Sequence, residues 1–127
     1  MGAGPVEEKG WIMSHPVVHW EITGKNGAQL QEFYAQLFDW QINADNPYQY
    51  GRVDTRSDQG INGGIATANE PTNRVTIYVQ VADLQATLDK AESLGGKTLM
   101  PPMEIPGAVT MALFSDPDGN VTGLIKG

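Results

Sequence analysis

The sequence predicts an α+β fold built from two copies of a β-α-β-β-β unit within one domain. Three observations carry that prediction. Strand and helix signals recur in the same order in both halves of the 127 residues. The two helix-capping residues, Asn26 and Asp83, stand 57 positions apart (83 − 26), and Gly64 and Gly123 stand 59 apart (123 − 64) near the ends of the two halves. Fifteen glycines and eight prolines divide the chain into short elements joined by turns.

Each element has its own reason. Val17–Ile22 is rich in β-branched residues and reads as a strand. Asn26 caps a helix whose apolar positions Leu30, Phe33, Tyr34, Leu37 and Phe38 fall at i, i+3, i+4, i+7 and i+8. These, with Trp20 and Trp40, are expected as core. Three short strands follow, at 41–43, 49–54 and 60–66, separated by turn-rich stretches. The second half opens with a strand at Val75–Val81. Asp83 then caps a helix with apolar positions Leu84, Leu88, Ala91 and Leu94, and Gly95-Gly96 ends it. A strand at Lys97–Leu99, a proline-stiffened loop at Met100–Gly107, a strand at Val109–Ser115, the turn Asp116-Pro117-Asp118-Gly119 and a strand at Val121–Ile125 complete the pattern. Residues 1–13 read as a flexible lead-in. Residues 14–127 read as a single domain, with module one at 14–68 and module two at 72–127.

Composition excludes several classes of function. The net charge of −7 gives no basic footprint for nucleic acid or an anionic membrane surface. With no cysteine there are no disulfides, thiolate metal sites or thiol nucleophiles. No apolar run spans a membrane and no signal-peptide core stands at the start, so a cytoplasmic location is expected. The Asp116–Asn120 string imitates the start of an EF-hand, but Val121 and Gly127 stand where that loop needs glycine and glutamate, so it is a turn.

Pro16-Val17-Val18-His19-Trp20-Glu21-Ile22, Phe33-Tyr34-Ala35-Gln36-Leu37-Phe38-Asp39-Trp40, Gly60-Ile61-Asn62-Gly63-Gly64-Ile65 and Phe114-Ser115-Asp116-Pro117-Asp118-Gly119-Asn120 together resemble the vicinal oxygen chelate superfamily. That superfamily includes glyoxalase I, bleomycin-resistance proteins and extradiol dioxygenases. The likeness covers residues 16–126 and is nearest to small lactoylglutathione lyase-related proteins. It implies a mixed sheet curled into a cup with helices outside, a ligand inside, and a homodimer. It also implies a divalent ion held from the first and last strands of each module. Carried over, those positions are His19, Gly64, Thr76 and Gly123, and three of the four are not metal ligands.

The favoured expectation is therefore a protein that binds a small organic molecule in the cup without a standard metal and with no cofactor. By strand alternation His19 and Glu21 face in from module one, and Thr76, Tyr78 and Gln80 from module two. Asn62 and Met111 complete the expected lining, and Gly64 and Gly123 leave room for the ligand. Whether the chain is an enzyme is left open. One alternative is a lyase or dioxygenase with a rearranged metal site, or an acid–base enzyme using His19 and Glu21. His19 and Glu21 are two apart on one strand, roughly 7 Å, which is awkward around one ion. A third reading is an interaction or sensor module with a filled cup.

Overall fold

The computed structural model of the chain describes residues 14–69 and 73–127. The lead-in at 1–13, and residue 72 where module two was expected to begin, lie outside the described residues. Module one runs β1 (Val17–Gly24), α1 (Gly27–Phe38), β2 (Gln41–Asn43), β3 (Gly51–Asp54) and β4 (Gly63–Thr67). Module two runs β5 (Arg74–Val81), α2 (Leu84–Ser93), β6 (Lys97–Glu104), β7 (Thr110–Ser115) and β8 (Val121–Lys126). One eight-stranded sheet takes the order β2-β3-β4-β1-β5-β8-β7-β6. The modules therefore meet along a single antiparallel seam, β1 against β5. No helix among the described residues is long and apolar enough to cross a membrane.

The repeat is visible in the hydrogen-bond register. In module one β1 pairs in parallel with β4, Glu21 opposite Gly64. In module two β5 pairs in parallel with β8, Tyr78 opposite Gly123. Across the seam His19 lies opposite Tyr78 and Glu21 opposite Thr76. A register shift between Val17 and His19 marks a bulge just before the histidine, a feature that re-aims a strand's side chains.

Both caps form. The Asn26 side chain accepts from the Gln29 amide at 3.1 Å and the Asp83 side chain from the Ala86 amide at 2.9 Å. Gly95, at φ +103, takes the left-handed turn that ends α2. Under α2 a tight core joins Val81, Leu84, Leu88, Ala112 and Leu124. Module one instead gathers aromatics beside α1, with the Trp20 and Trp40 rings 5.3 Å apart and Trp40 4.9 Å from Phe38.

Four expectations need correction. The stretch Met100–Glu104 is strand rather than loop: β6 continues through Pro101 and Pro102, with register shifts, because it is the outer edge of the sheet and its prolines need not donate to a neighbour. Phe33, Leu37 and Phe38 are more than half exposed, so α1 buries less of its apolar stripe than the periodicity suggests. Leu94 is 70% exposed, since it falls at the cap where α2 stops. The strands β3 and β4 each begin later than expected. Gln49 is left-handed at φ 52 before β3, and residues 60–62 form the turn before β4.

Leu88 is completely buried within the module-two core. Leu88→Ala is expected to cost about 2–5 kcal/mol in chemical denaturation, the range for a buried leucine whose cavity cannot fully collapse.

Candidate functional site

The inner face of the sheet can be read from cross-strand partners, which share a face. One row links Tyr78, Gly123, Leu113 and Met100. The next links Gln80, Ile125, Met111 and Met103. A third, in module one, links Thr76, Glu21, Gly64 and Arg52. The cup thus has an apolar, methionine-bearing wall on module two and a polar floor at the seam.

Four side chains converge on that floor. His19 Nε2 lies 2.7 Å from the Tyr50 hydroxyl, and the Tyr78 hydroxyl donates to Glu21 Oε1 at 3.0 Å. The Glu21 charge also acts on the Tyr50 hydroxyl. Within the His19–Tyr50 pair the hydroxyl donates or accepts according to the imidazole tautomer. The rings reinforce this: His19 stacks on Tyr50 at 6.2 Å and meets Tyr78 edge-on at 5.4 Å. Tyr78 is 5% exposed and Thr76 3%.

The two glycines explain how the rings fit. A Cβ on Gly64 would run into the Tyr50 phenol, and one on Gly123 into the Tyr78 ring. The room expected for a ligand over these glycines is occupied by the protein's own tyrosines in this conformation. Gln80 lies against the backbone of Gly127 rather than reaching the floor. Asn62 is exposed, and its side chain accepts from the Thr55 amide at 3.0 Å and the Thr55 hydroxyl at 3.3 Å, so it organises the β3–β4 turn and does not line the cup. Of the residues singled out from sequence, His19, Glu21, Thr76, Tyr78, Gly64 and Gly123 cluster at the floor. Met111 stands on the adjoining wall.

Tyr50 was missed. It precedes β3 in a loop ordered by Asn46, whose Oδ1 accepts from the amides of Tyr48 and Tyr50 at 3.2 and 3.0 Å and whose Nδ2 donates to the Tyr50 carbonyl at 2.7 Å. The alternation of Tyr50 with Arg52 on one face was the available signal, but only once β3 was known to lie beside Gly64.

The divalent ion implied by the resemblance does not fit these donors. Gly64 and Gly123 offer none, and the ground that a side chain there would need is held by Tyr50 and Tyr78. Among the described residues no group of three or more His, Cys, Asp or Glu could hold an ion. Two open clefts lie outside the cup, about 350 Å³ beside the β6–β7 connection and about 310 Å³ at the start of α1.

Burial sets the protonation states. It pushes the His19 pKa below its ordinary 6.5, and the Glu21 charge opposes this only in part. Burial also drives both phenols above their ordinary value of 10, and Glu21 raises them further by its charge and by accepting their hydrogen bonds. The signs follow by linkage. The unfolded chain releases phenol protons first, so stability held below pH 10 is lost as pH rises past it. The unfolded chain also protonates its histidine first, so stability falls as pH drops from 6.5 toward the lower folded value. Tyr50→Phe is expected to remove about 1 kcal/mol of the stability lost between about pH 10 and 11 in denaturation curves, where the unfolded phenol goes from half to mostly ionised. His19→Gln is expected to flatten the acid limb.

Comparison with known proteins gives consistent results. A family model described as "Glyoxalase-like domain" matches residues 22–125. "Putative glyoxylase CFP32" of Mycobacterium bovis is 32% identical over 103 residues, covering 74% of this chain and 39% of its own length. The chain thus spans only 39% of the curated relatives it matches. The fold is shared with methylmalonyl-CoA epimerase from Mycobacterium tuberculosis (12% identity, TM-score 0.61, covering 87% of this chain and 86% of that one). It is shared also with a Mn(II)-bound glyoxalase from Novosphingobium aromaticivorans (18%, 0.58, covering 88% and 38%) and with a glyoxalase/bleomycin resistance protein/dioxygenase superfamily member from Vibrio splendidus (14%, 0.58, covering 90% and 100%). With its paired modules and its seam-centred cup, the chain belongs to the glyoxalase-like domain family.

Proposed function

We propose that the chain binds a small organic molecule in the inter-module cup and holds it with side-chain hydrogen bonds rather than a divalent ion. The convergence of His19, Glu21, Tyr50 and Tyr78 beside a wall carrying Met100, Met103 and Met111 is the observation that supports this. Methionine walls adapt to different apolar shapes, and a few convergent polar groups fix orientation. The relatives named as a glyoxylase and as an epimerase lend the fold a background of small-molecule chemistry.

A second reading is acid–base chemistry. Burial favours the neutral form of His19, and that ring sits in one hydrogen-bond network with Glu21, as a proton-transfer pair requires. Binding is preferred because the network consists of hydrogen bonds between neutral rings and one carboxylate, which suits holding a ligand's hydroxyl or carbonyl in exchange for one of those bonds. The reading carries a cytoplasmic protein and a homodimer, the exposed Phe33, Leu37, Val75 and Ile77 being the apolar surface available to a second copy.

A thermal-shift screen of small polar aromatics and short acyl compounds tests the binding role. A hit should lose at least about tenfold in affinity in His19→Ala, whose fold is otherwise intact, the effect of removing a hydrogen bond in a partly buried site. An unchanged dissociation constant would contradict the pocket role, and measurable turnover lost in both His19→Ala and Glu21→Gln would favour the second reading. Sedimentation velocity is expected to show a dimer that dissociates in Phe33→Asp.

A further inference from the structure

Of the four residues at the cup floor, Tyr50 alone is carried by a loop. His19 and Glu21 are on β1 and Tyr78 is on β5, at the centre of the sheet. The 44–50 loop is braced internally by Asn46 and by the left-handed Gln49, whose carbonyl accepts from Gln31 Nε2 at 3.4 Å. Its link to the other module is one hydrogen bond, from the hydroxyl of Tyr48, itself 56% exposed, to the Pro106 carbonyl at 3.2 Å. The loop is closed at its base by the β2–β3 pairing, Asn43 opposite Arg52, and between those ends it is held from outside by the Gln31, Tyr48 and Tyr50 side-chain bonds. Displacing it would withdraw Tyr48 and Tyr50 together.

What Tyr50 leaves behind is a seat of defined chemistry. The bare backbone of Gly64 gives a flat floor on which the Tyr50 ring rests, and His19 Nε2 and the Glu21 carboxylate give hydrogen-bonding partners for a hydroxyl. These partners belong to β1 and β4 and stay in place when the loop moves. We infer that this seat is a binding site for a free, uncharged phenol, and that Tyr50 is its built-in competitor. The inference rests on the cup-binding reading and narrows its ligand class. A phenolate or carboxylate would face the Glu21 charge, and an aliphatic alcohol would lack the flat ring that lies on Gly64. A ring carrying one hydroxyl matches both requirements, as the tyrosine side chain itself does.

The consequence is quantitative. The apparent affinity for a phenol is its intrinsic affinity reduced by the fraction of molecules in which Tyr50 has swung out. Loss of the Tyr48–Pro106 bond alone should raise that fraction about two- to tenfold, the worth of one exposed hydrogen bond. Loss of the Tyr50 ring removes the competitor altogether.

The test uses p-cresol, which is the tyrosine side chain ending at its first carbon, titrated by ligand-observed NMR and calorimetry. Affinity should rise from wild type to Tyr48→Phe to Tyr50→Ala, the last at least about tenfold above wild type. Adding Gly64→Ala to Tyr50→Ala puts a methyl group into the seat and should reverse the gain. Toluene, which has the shape without the hydroxyl, should bind at least about tenfold more weakly than p-cresol to Tyr50→Ala. Equal p-cresol affinity in wild type and Tyr50→Ala, indifference to Gly64→Ala, or toluene binding as tightly as p-cresol would overturn the inference. If Tyr50→Ala fails to fold by circular dichroism, the comparison of Tyr48→Phe with wild type decides: no gain overturns it. A cup ligand bound with Tyr50 still stacked on His19 would also overturn it while leaving the cup-binding reading intact.

Discussion

The seam between β1 and β5 is what the rest of the molecule depends on. Among the described residues it is the only strand pairing that joins the two modules, and it runs through the middle of the eight-stranded sheet. The side chains along its inner face, His19 and Glu21 from one strand and Thr76 and Tyr78 from the other, must be satisfied in a poorly solvated place. His19 bonds the Tyr50 hydroxyl, and Glu21 accepts from the Tyr78 hydroxyl across the seam. Two glycines make this possible. Gly64 and Gly123 occupy equivalent positions beside Glu21 and Tyr78, and only a residue without a side chain lets a tyrosine ring rest on the sheet there.

This arrangement exchanges one kind of cohesion for another. A divalent ion between modules would hold four ligands by charge. Here the Tyr78 hydroxyl of module two donates to the Glu21 carboxylate of module one across the seam, while His19 and Tyr50 bond to each other beside it. The same burial that makes the bonds strong shifts the titrations: the histidine stays neutral and the phenols keep their protons. A neutral, hydrogen-bonding floor facing a methionine-bearing wall is suited to an uncharged ligand with one polar end.

Much of the fold was legible because its signals are local or periodic. The caps at Asn26 and Asp83, the glycine stop at Gly95 and the turn at Asp116–Gly119 each rest on chemistry within a few residues, and each forms. The spacing of the two halves placed Gly64 and Gly123 in equivalent positions, and strand alternation brought His19, Glu21, Thr76 and Tyr78 to one face. What escaped was tertiary. Tyr50 lies 31 residues from His19 and reaches it from a loop whose course depends on Asn46. Pro101 and Pro102 read as loop because nothing local says that β6 is an edge strand. The stripe on α1 was only partly right: the covered positions are Leu30, Gln31, Tyr34 and Ala35, because Gln31 turns in to donate to the Ile65 carbonyl, and Phe33, Leu37 and Phe38 are left exposed. Asn62 was assigned to the cup from its motif, whereas its place in a turn between glycines was the better guide.

Tyrosine rings rest on the two glycines at the positions where the resemblance implies metal ligands. Calorimetric titration of Mn(II) into the wild-type chain and into Tyr50→Ala/Gly64→Glu tests this account most directly, because the double variant clears the ring and places a carboxylate beside His19. The account predicts no saturable binding to wild type at micromolar metal and a measurable site in the double variant. One equivalent of tightly bound Mn(II) in wild type, lost in His19→Ala, would contradict it.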